Sequence, residues 1–331
     1  MTQTDSDVLV IGAGVIGLST AVCLAEAGVI VTVAAAEPPQ QTTSVAAGAL
    51  WGPHMVGADD RIARWSGVTL DRLAELRAPE LGANALAGIV RTATGITATA
   101  GPDPDPPSEF AASSLTPCEP AEIPAGYDAG WRMTAPLIAM PEYLDYLQQR
   151  LGRAGGTTTF PVKFAAIDDA RAFAPSARVI VNCTGCGARE LTGDTSVVPV
   201  RGQAVVVANP GLAEFFVGTG AARWQLTYVF PHDDVVLLGG TEQVGDWSRE
   251  PDPAIAAQII SACTAVRPEL AGAPVLGHRT GLRPTRPQVR LEAEQYGSVT
   301  VLHNYGHGGA GVTLSWGCAE EATQLALAAL D

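Results

Sequence analysis

The run Val8-Leu9-Val10-Ile11 passes without a spacer into Gly12-Ala13-Gly14-Val15-Ile16-Gly17, and a helical stretch follows from about Val15 to Ala27. Few sequence patterns constrain a fold more tightly. A β-branched run reads as a buried strand, the glycines as a sharp turn, and Gly28 sits where a helix C-cap belongs. With a second strand expected over Ile30 to Val33, the stretch is a compact βαβ unit. In G-x-G-x-x-G the first glycine makes the turn, the second admits a pyrophosphate to the backbone, and the third lets helix pack on strand. The helix N-terminus then offers unpaired N–H groups and a favourable dipole to the phosphates. Glu37, 20 residues past Gly17, is placed to accept from a ribose hydroxyl. The context predicts an adenine-dinucleotide site; a bare glycine turn in an α/β sheet is the alternative.

The rest of the chain predicts how that unit is completed. At 331 residues two domains are expected, since a domain averages roughly 150 residues. A hydropathy window over Val8 to Ala36 resembles a membrane span, but Gly12, Gly14, Gly17, Gly28 and Glu26 break it, and buried parallel strands read the same way. The start carries no basic segment of a secretory signal, so a soluble cytoplasmic protein is expected. A formal charge of −14 argues against nucleic acid and against an anionic membrane surface. Glu37-Pro38-Pro39 and the proline-rich 101–107 read as loops, and 143–151 as an amphipathic helix. Strands are expected at Val179 to Val181, Val205 to Val207, Val235 to Leu238 and Val299 to Leu302, with a hairpin-like turn at His232-Asp233-Asp234 and a closing helix from Leu314 to Leu330. The fold class is therefore α/β, with a dinucleotide unit assembled from separated segments and a mostly β insertion between them. No metal site is expected: Cys183 and Cys186 form a single C-x-x-C with no second pair to complete it.

A second glycine loop, Asn304-Tyr305-Gly306-His307-Gly308-Gly309-Ala310-Gly311-Val312-Thr313, opens the final helix. Such a loop lets backbone N–H groups face the electron-rich edge of a ligand. In a flavin enzyme that edge is the N1/C2=O region, where negative charge develops on reduction.

The chain resembles the D-amino acid oxidase family in VIGAGVIGLSTAVCL (10–24), TTSVAAGALWGP (42–53), GLRPTRPQVRLE (281–292) and HNYGHGGAGVTLSWG (303–317), with VNCTG (181–185) and RGQ (201–203) in agreement. The resemblance implies an enzyme that holds FAD non-covalently and oxidises D-amino acids at the expense of dioxygen, giving 2-oxo acid, ammonia and hydrogen peroxide. It implies a Rossmann-like FAD-binding domain from residues 1–50, 140–195 and 285–331, and a mostly β substrate-binding domain from 51–139 and 196–284. Gly12, Gly14 and Gly17 would hold the pyrophosphate, with Ala13, Val15 and Ile16 beside them. Thr42, Thr43, Ser44, Ala47, Gly48 and Ala49 would lie along the flavin, Phe164 and Thr184 elsewhere on the cofactor, and Gly308, Gly309, Ala310, Gly311, Val312 and Thr313 against the isoalloxazine. Tyr228 and Arg283 would bind the substrate carboxylate, Arg283 also touching the cofactor, while the Gly309 carbonyl would accept from the amine. Partners would be a D-amino acid and dioxygen, and homodimerisation is carried as an expectation.

Taken without the resemblance, Arg283, Arg286 and Arg290 are equal candidates for a carboxylate fork. His307 is read as a structural, hydrogen-bonded residue and not as a base. Trp224 stands where many relatives carry a tyrosine over the active site, and Phe216 to Tyr228 is short for a mobile lid. Glu37 is slightly off the family's acidic position. Pro53-His54 resembles the Pro-His of D-aspartate oxidase, yet Glu242 occupies the place where that relative has arginine. A non-catalytic dinucleotide sensor is the alternative of another class.

Overall fold

Residues 5–57, 59–78, 86–101, 105–106, 114–220 and 226–331 are described by a computed structural model. Strand β1 (Val8–Ile11), helix α1 (Val15–Glu26) and strand β2 (Val31–Ala34) form the expected βαβ unit. β1 is buried on both faces between β2 and a later strand, which is why its sequence is apolar without alternation. Ile30, expected to open the second strand, is instead 60% exposed. Its carbonyl accepts from Asp7 and Val8, so it ends the turn and does not enter the sheet.

The chain then runs through α2 (Ile62–Leu76), β3 (Val90–Thr99), β4 (Thr116–Pro117), β5 (Ala129–Ile138), α3 (Met140–Arg153), β6 (Thr157–Thr159), α4 (Ile167–Phe173), β7 (Val179–Asn182) and α5 (Ala188–Thr192). It continues through β8 (Val198–Ala208), β9 (Phe215–Thr219), β10 (Leu226–Pro231), β11 (Val235–Gly239), β12 (Gln243–Val244), α6 (Pro253–Val266), β13 (Val275–Tyr296), β14 (Val299–His307) and α7 (Gly311–Leu330). The closing helix thus begins three residues before the expected Leu314.

The strands join in the order β4-β5-β3-β9-β10-β11-β8-β13-β14-β7-β1-β2-β6, with β12 on β8. The five at one end, β14-β7-β1-β2-β6, are parallel. From β1 the chain moves to β2 and β6 on one side, then returns to β7 and β14 on the other. That reversal opens a crevice at the carboxyl ends of β1 and β7, where open α/β sheets bind ligands. Val8 and Val10 pack with α1, α3 and α7, while Leu9 and Ile11 pack with α4, so helices cover both faces. The other strands are antiparallel except for β3 beside β9. There Val229 faces α6, and Tyr228 and Phe230 face the opposite side.

β13, 22 residues long, joins the two halves. Val275 to Thr285 pairs with β8 and Arg290 to Tyr296 with β14, and the register breaks between Thr285 and Arg290. No helix of the described residues is long and apolar enough to cross a membrane; the apolar window at 8–36 is divided among β1, α1 and β2.

Helix α7 is held at its middle. Wholly buried Trp316 donates from Nε1 to the Tyr143 hydroxyl of α3 at 2.7 Å, and Thr69 Oγ1 of α2 accepts from the Trp316 and Gly317 amides, both at 3.2 Å. Tyr143→Phe leaves the indole N–H unpartnered where no water reaches, which costs about 1–3 kcal/mol. Urea unfolding should show a lower midpoint with the native circular dichroism retained; an unchanged midpoint would mean the indole finds another acceptor.

Candidate active site

The carboxyl ends of the parallel strands meet at one cleft of about 470 Å³. Its floor is the glycine turn after β1. Gly12 adopts φ +112°, and a Cβ there would lie 2.5 Å from the Cys183 carbonyl of the β7 exit, so only glycine fits between the strands. Gly14, Ala13, Val15 and Ile16 line the cleft, but Gly17 does not. A Cβ on Gly17 would stand 2.0 Å from the Gly12 carbonyl, so the missing side chain lets α1 close on the turn. No side chain caps Gly14, and Val15 N–H donates to Ser44 Oγ at 2.9 Å.

The other cofactor candidates come from separate segments. Thr42, Thr43, Ser44, Ala47, Gly48 and Ala49, in the stretch after β2, line the cleft with Glu37 at the β2 exit and Phe164 beyond β6. Thr184 follows β7, its amide and hydroxyl both donating to Asn182 Oδ1 at 3.2 and 2.7 Å. Gly308, Gly309, Gly311, Val312 and Thr313 line the cleft at the start of α7, whose N-terminus no side chain caps. Thr313 Oγ1 donates to the Gly52 carbonyl at 2.8 Å, tying this turn to residues 52–55. Ala310 departs from expectation: it is wholly buried against Val289, Leu291 and Leu314 and does not reach the cleft.

At the far end, Tyr228 and Phe230 are neighbours on one face of β10 and stack at 4.6 Å and 12°. Burial raises the Tyr228 phenol above its ordinary value, opposed by the charge of Arg283 nearby. Arg283 lies flat on the backbone of β8, where a Cβ on Gly202 would be 2.6 Å from Nη1, and it donates to the Thr241 carbonyl at 2.9 Å. The three candidate arginines separate here. Arg286 is paired with Asp194 at 2.9 Å, and Arg290 with Glu292 and Glu294 at 2.7 and 3.0 Å. Burial acts to raise Asp194, but hydrogen bonds from Ser196, Tyr305 and Arg286 hold it down to about 2. Among the described residues no carboxylate pairs with Arg283. Trp224 lies outside the described residues.

Three features go beyond the sequence reading. His54 lines the cleft, and its Nε2 meets Glu242 Oε1 at 3.0 Å. Arg249, far along the chain, also lines the cleft and binds Glu37. His307, expected to be hydrogen-bonded, has a buried Nε2 with no partner, and burial pushes the ring down to about 3. Pro-His offered a sequence hint for His54; none existed for Arg249. The C-x-x-C cysteines both line the cleft, with thiols pushed up to about 12 by burial and hence neutral. Among the described residues no cluster could hold a metal ion.

The arrangement suits a dinucleotide: a turn whose Gly12 and Gly17 admit no Cβ, the start of α7, whose N-terminus no side chain among the described residues caps, and an acidic side chain at the β2 exit. A family model described as FAD dependent oxidoreductase matches residues 7–325. The chain is 45% identical to the D-amino-acid oxidase of Rubrobacter xylanophilus over 326 residues, covering 98% of this chain and 96% of that one. It is 35% identical to the D-aspartate oxidase of Homo sapiens over 332 residues, covering 96% and 94%. The solved structure of glycine oxidase from Geobacillus kaustophilus shares the fold with a TM-score of 0.78 at 18% identity, covering 98% and 95%.

The state of His307 has a consequence for acid stability. The unfolded chain's histidine takes up a proton near pH 6.5, while the folded one does so only at about pH 3. Between those values the unfolded state binds more protons, so stability is full above about pH 6.5 and is lost as the pH falls. His307→Gln should flatten the fall in urea midpoint between about pH 7.5 and about pH 5. Equal falls in both proteins would show that His307 is not the buried neutral group.

Proposed function

The chain belongs to the family of FAD-dependent oxidoreductases, and from that premise we propose that it deaminates small D-amino acids oxidatively. The substrate, dioxygen and water would yield a 2-oxo acid, ammonia and hydrogen peroxide. The observation that carries this reading is Arg283. It is a guanidinium beside Tyr228 and against the cofactor cleft, and no carboxylate among the described residues pairs with it. A carboxylate brought into this cleft must meet a fixed cation for its lost hydration to be offset.

FAD, when bound, supplies the hydride acceptor and passes the electrons to dioxygen. The chain's own contribution is position and charge. Arg283 would grip the substrate carboxylate through its fork, and its bond to the Thr241 carbonyl restrains the guanidinium plane. The Tyr228 hydroxyl would donate to the same carboxylate; burial keeps it protonated for that task. The Gly309 carbonyl would accept from the amine at the start of α7. The N–H groups of that helix N-terminus would face developing negative charge, and the 12–16 turn would hold the pyrophosphate. No side chain of the cleft is assigned as a base: His307, pushed down to about 3 by burial, is a poor proton acceptor.

D-Aspartate oxidase is the second reading, favoured by His54 in the cleft wall. A second substrate carboxylate would need a cation there, and Glu242 places a negative charge against that same histidine. Identity is also higher to the D-amino-acid oxidase than to the D-aspartate oxidase. D-Alanine, D-valine or D-lysine should therefore turn over faster than D-aspartate in a peroxide-release assay. The reverse order would favour the second reading. A non-catalytic sensor would have no use for the Tyr228–Arg283 pair, and only an enzyme bleaches its flavin anaerobically with substrate.

Arg283→Ala should lower kcat/KM by roughly 30- to several-thousand-fold with FAD retained, and Arg283→Lys should recover part of it. Benzoate inhibition should weaken in parallel. Arg286→Ala should spare both, because that side chain belongs to Asp194. Loss of both in Arg286→Ala with neither lost in Arg283→Ala would reassign the anchor. Acid or heat should release intact FAD; flavin that stays with the denatured chain would show a covalent bond.

A further inference from the structure

Two of the most deeply buried polar side chains of β8, Arg201 and Gln203, flank Gly202, on whose backbone Arg283 lies, and Gln203 also lines the cleft. They are 2% and 1% exposed, and they hold the stretch from Gly245 to Asp252 from below. Arg201 donates to the Ser248 carbonyl at 3.0 Å and to the Glu250 carbonyl at 2.6 Å. Gln203 Oε1 accepts from the Asp252 amide at 2.9 Å, and its Nε2 donates to the Asp252 carbonyl at 2.8 Å. The first end is tied where Gly245 N–H donates to the Pro199 carbonyl at 2.8 Å. The carbonyls on either side of Arg249 are thus both fixed. Its side chain is thrown across the cleft to the Glu37 carboxylate and, at 2.5 Å, to the Gln41 carbonyl.

Glu37 and Gln41 follow β2, the strand whose exit marks the ribose in dinucleotide folds. Before Glu37 the β2 exit offers only Ala35 and Ala36 to the cleft. An exposed ion pair by itself adds little to stability. Here a buried arginine and a buried glutamine are spent on presenting one surface arginine, which points to a ligand as its purpose. The charge balance agrees. The chain carries −14, and a pyrophosphate brings two more negative charges. Among the described residues, the lysine and arginine side chains lining the cleft are Arg283, Lys163 and Arg249. Lys163 is itself paired with Glu190 at 3.3 Å.

We propose that residues 245–252 form a strap that closes the adenosine end of the cleft. Arg249 is its latch, a further cofactor-binding residue that aims Glu37 at the ribose hydroxyls and adds positive charge beside the pyrophosphate. The proposal rests on the cleft being the FAD site. Its signature is retention of the cofactor.

The test uses FAD-stripped full-length protein, titrated with FAD and followed by quenching of flavin fluorescence. Arg249→Ala should raise the Kd by about tenfold or more and Arg249→Glu by more still, with Arg249→Lys between wild type and Arg249→Ala. Glu37→Gln should also weaken binding, and the double variant should lose less than the two single effects combined. The melting temperature of the stripped Arg249→Ala protein should match wild type, while the rise produced by FAD should shrink. A Kd within about twofold of wild type in Arg249→Ala and Arg249→Glu, with wild type binding FAD, would overturn the strap and leave the cofactor reading intact. Wild-type protein that binds no FAD would overturn the cofactor reading and the strap with it.

Discussion

Everything functional hangs on how closely α1 and β7 approach the turn after β1. The Gly12 position admits no Cβ because the Cys183 carbonyl already occupies that space, and the Gly17 position admits none because the Gly12 carbonyl does. These contacts bring the N-terminus of α1 onto the carboxyl ends of β1 and β7. A larger side chain at either site would push helix and strands apart and widen the cradle beyond the reach of a phosphate. The buried parallel strands and the helices on both faces exist, in functional terms, to make that approach rigid.

The second constraint is β13. One strand belongs to both halves of the sheet, pairing with β8 over its first part and with β14 over its last. Arg283 stands just before the irregular segment where the partner changes, next to the β14 exit and the start of α7. The proposed substrate anchor and the proposed cofactor turn would thereby be held by the same backbone. The Asp194–Arg286 pair and the Tyr305 hydroxyl brace the irregular segment from behind. Arg286 therefore belongs to the scaffold of the site, although it lies in the same short motif as Arg283.

Electrostatics divide the cleft. Among the described residues its charged side chains fall into groups: Arg283 and His54, the latter meeting Glu242, then Glu37 with Arg249, and Lys163 with Glu190. His307 and both cysteines in its wall are kept neutral by burial. A wall whose charges are gathered in a few groups matches a ligand with an apolar, polarisable centre, and it leaves charge placement near the reacting atoms to helix N-termini.

The sequence alone determined the βαβ unit, the second glycine turn and the α/β class, because each rests on local chemistry. Strand runs, glycine spacing and helix caps are read from neighbours in the chain. Tyr228, Arg283 and the cofactor stretches were named through resemblance; Gly17, which the motif also assigns to helix packing, and Ala310 do not line the cleft. The tertiary structure alone decided the rest. Arg283, Arg286 and Arg290 are indistinguishable in a string of residues; they differ only in which carboxylates the sheet brings to them. Arg249 has no local signal at all. Its meaning comes from Glu37, 212 residues away, and from two buried side chains of β8 that aim it. Charge pairing acts over a few ångströms of space, and no pattern of spacing along a chain records which distant segments folding will bring within that range.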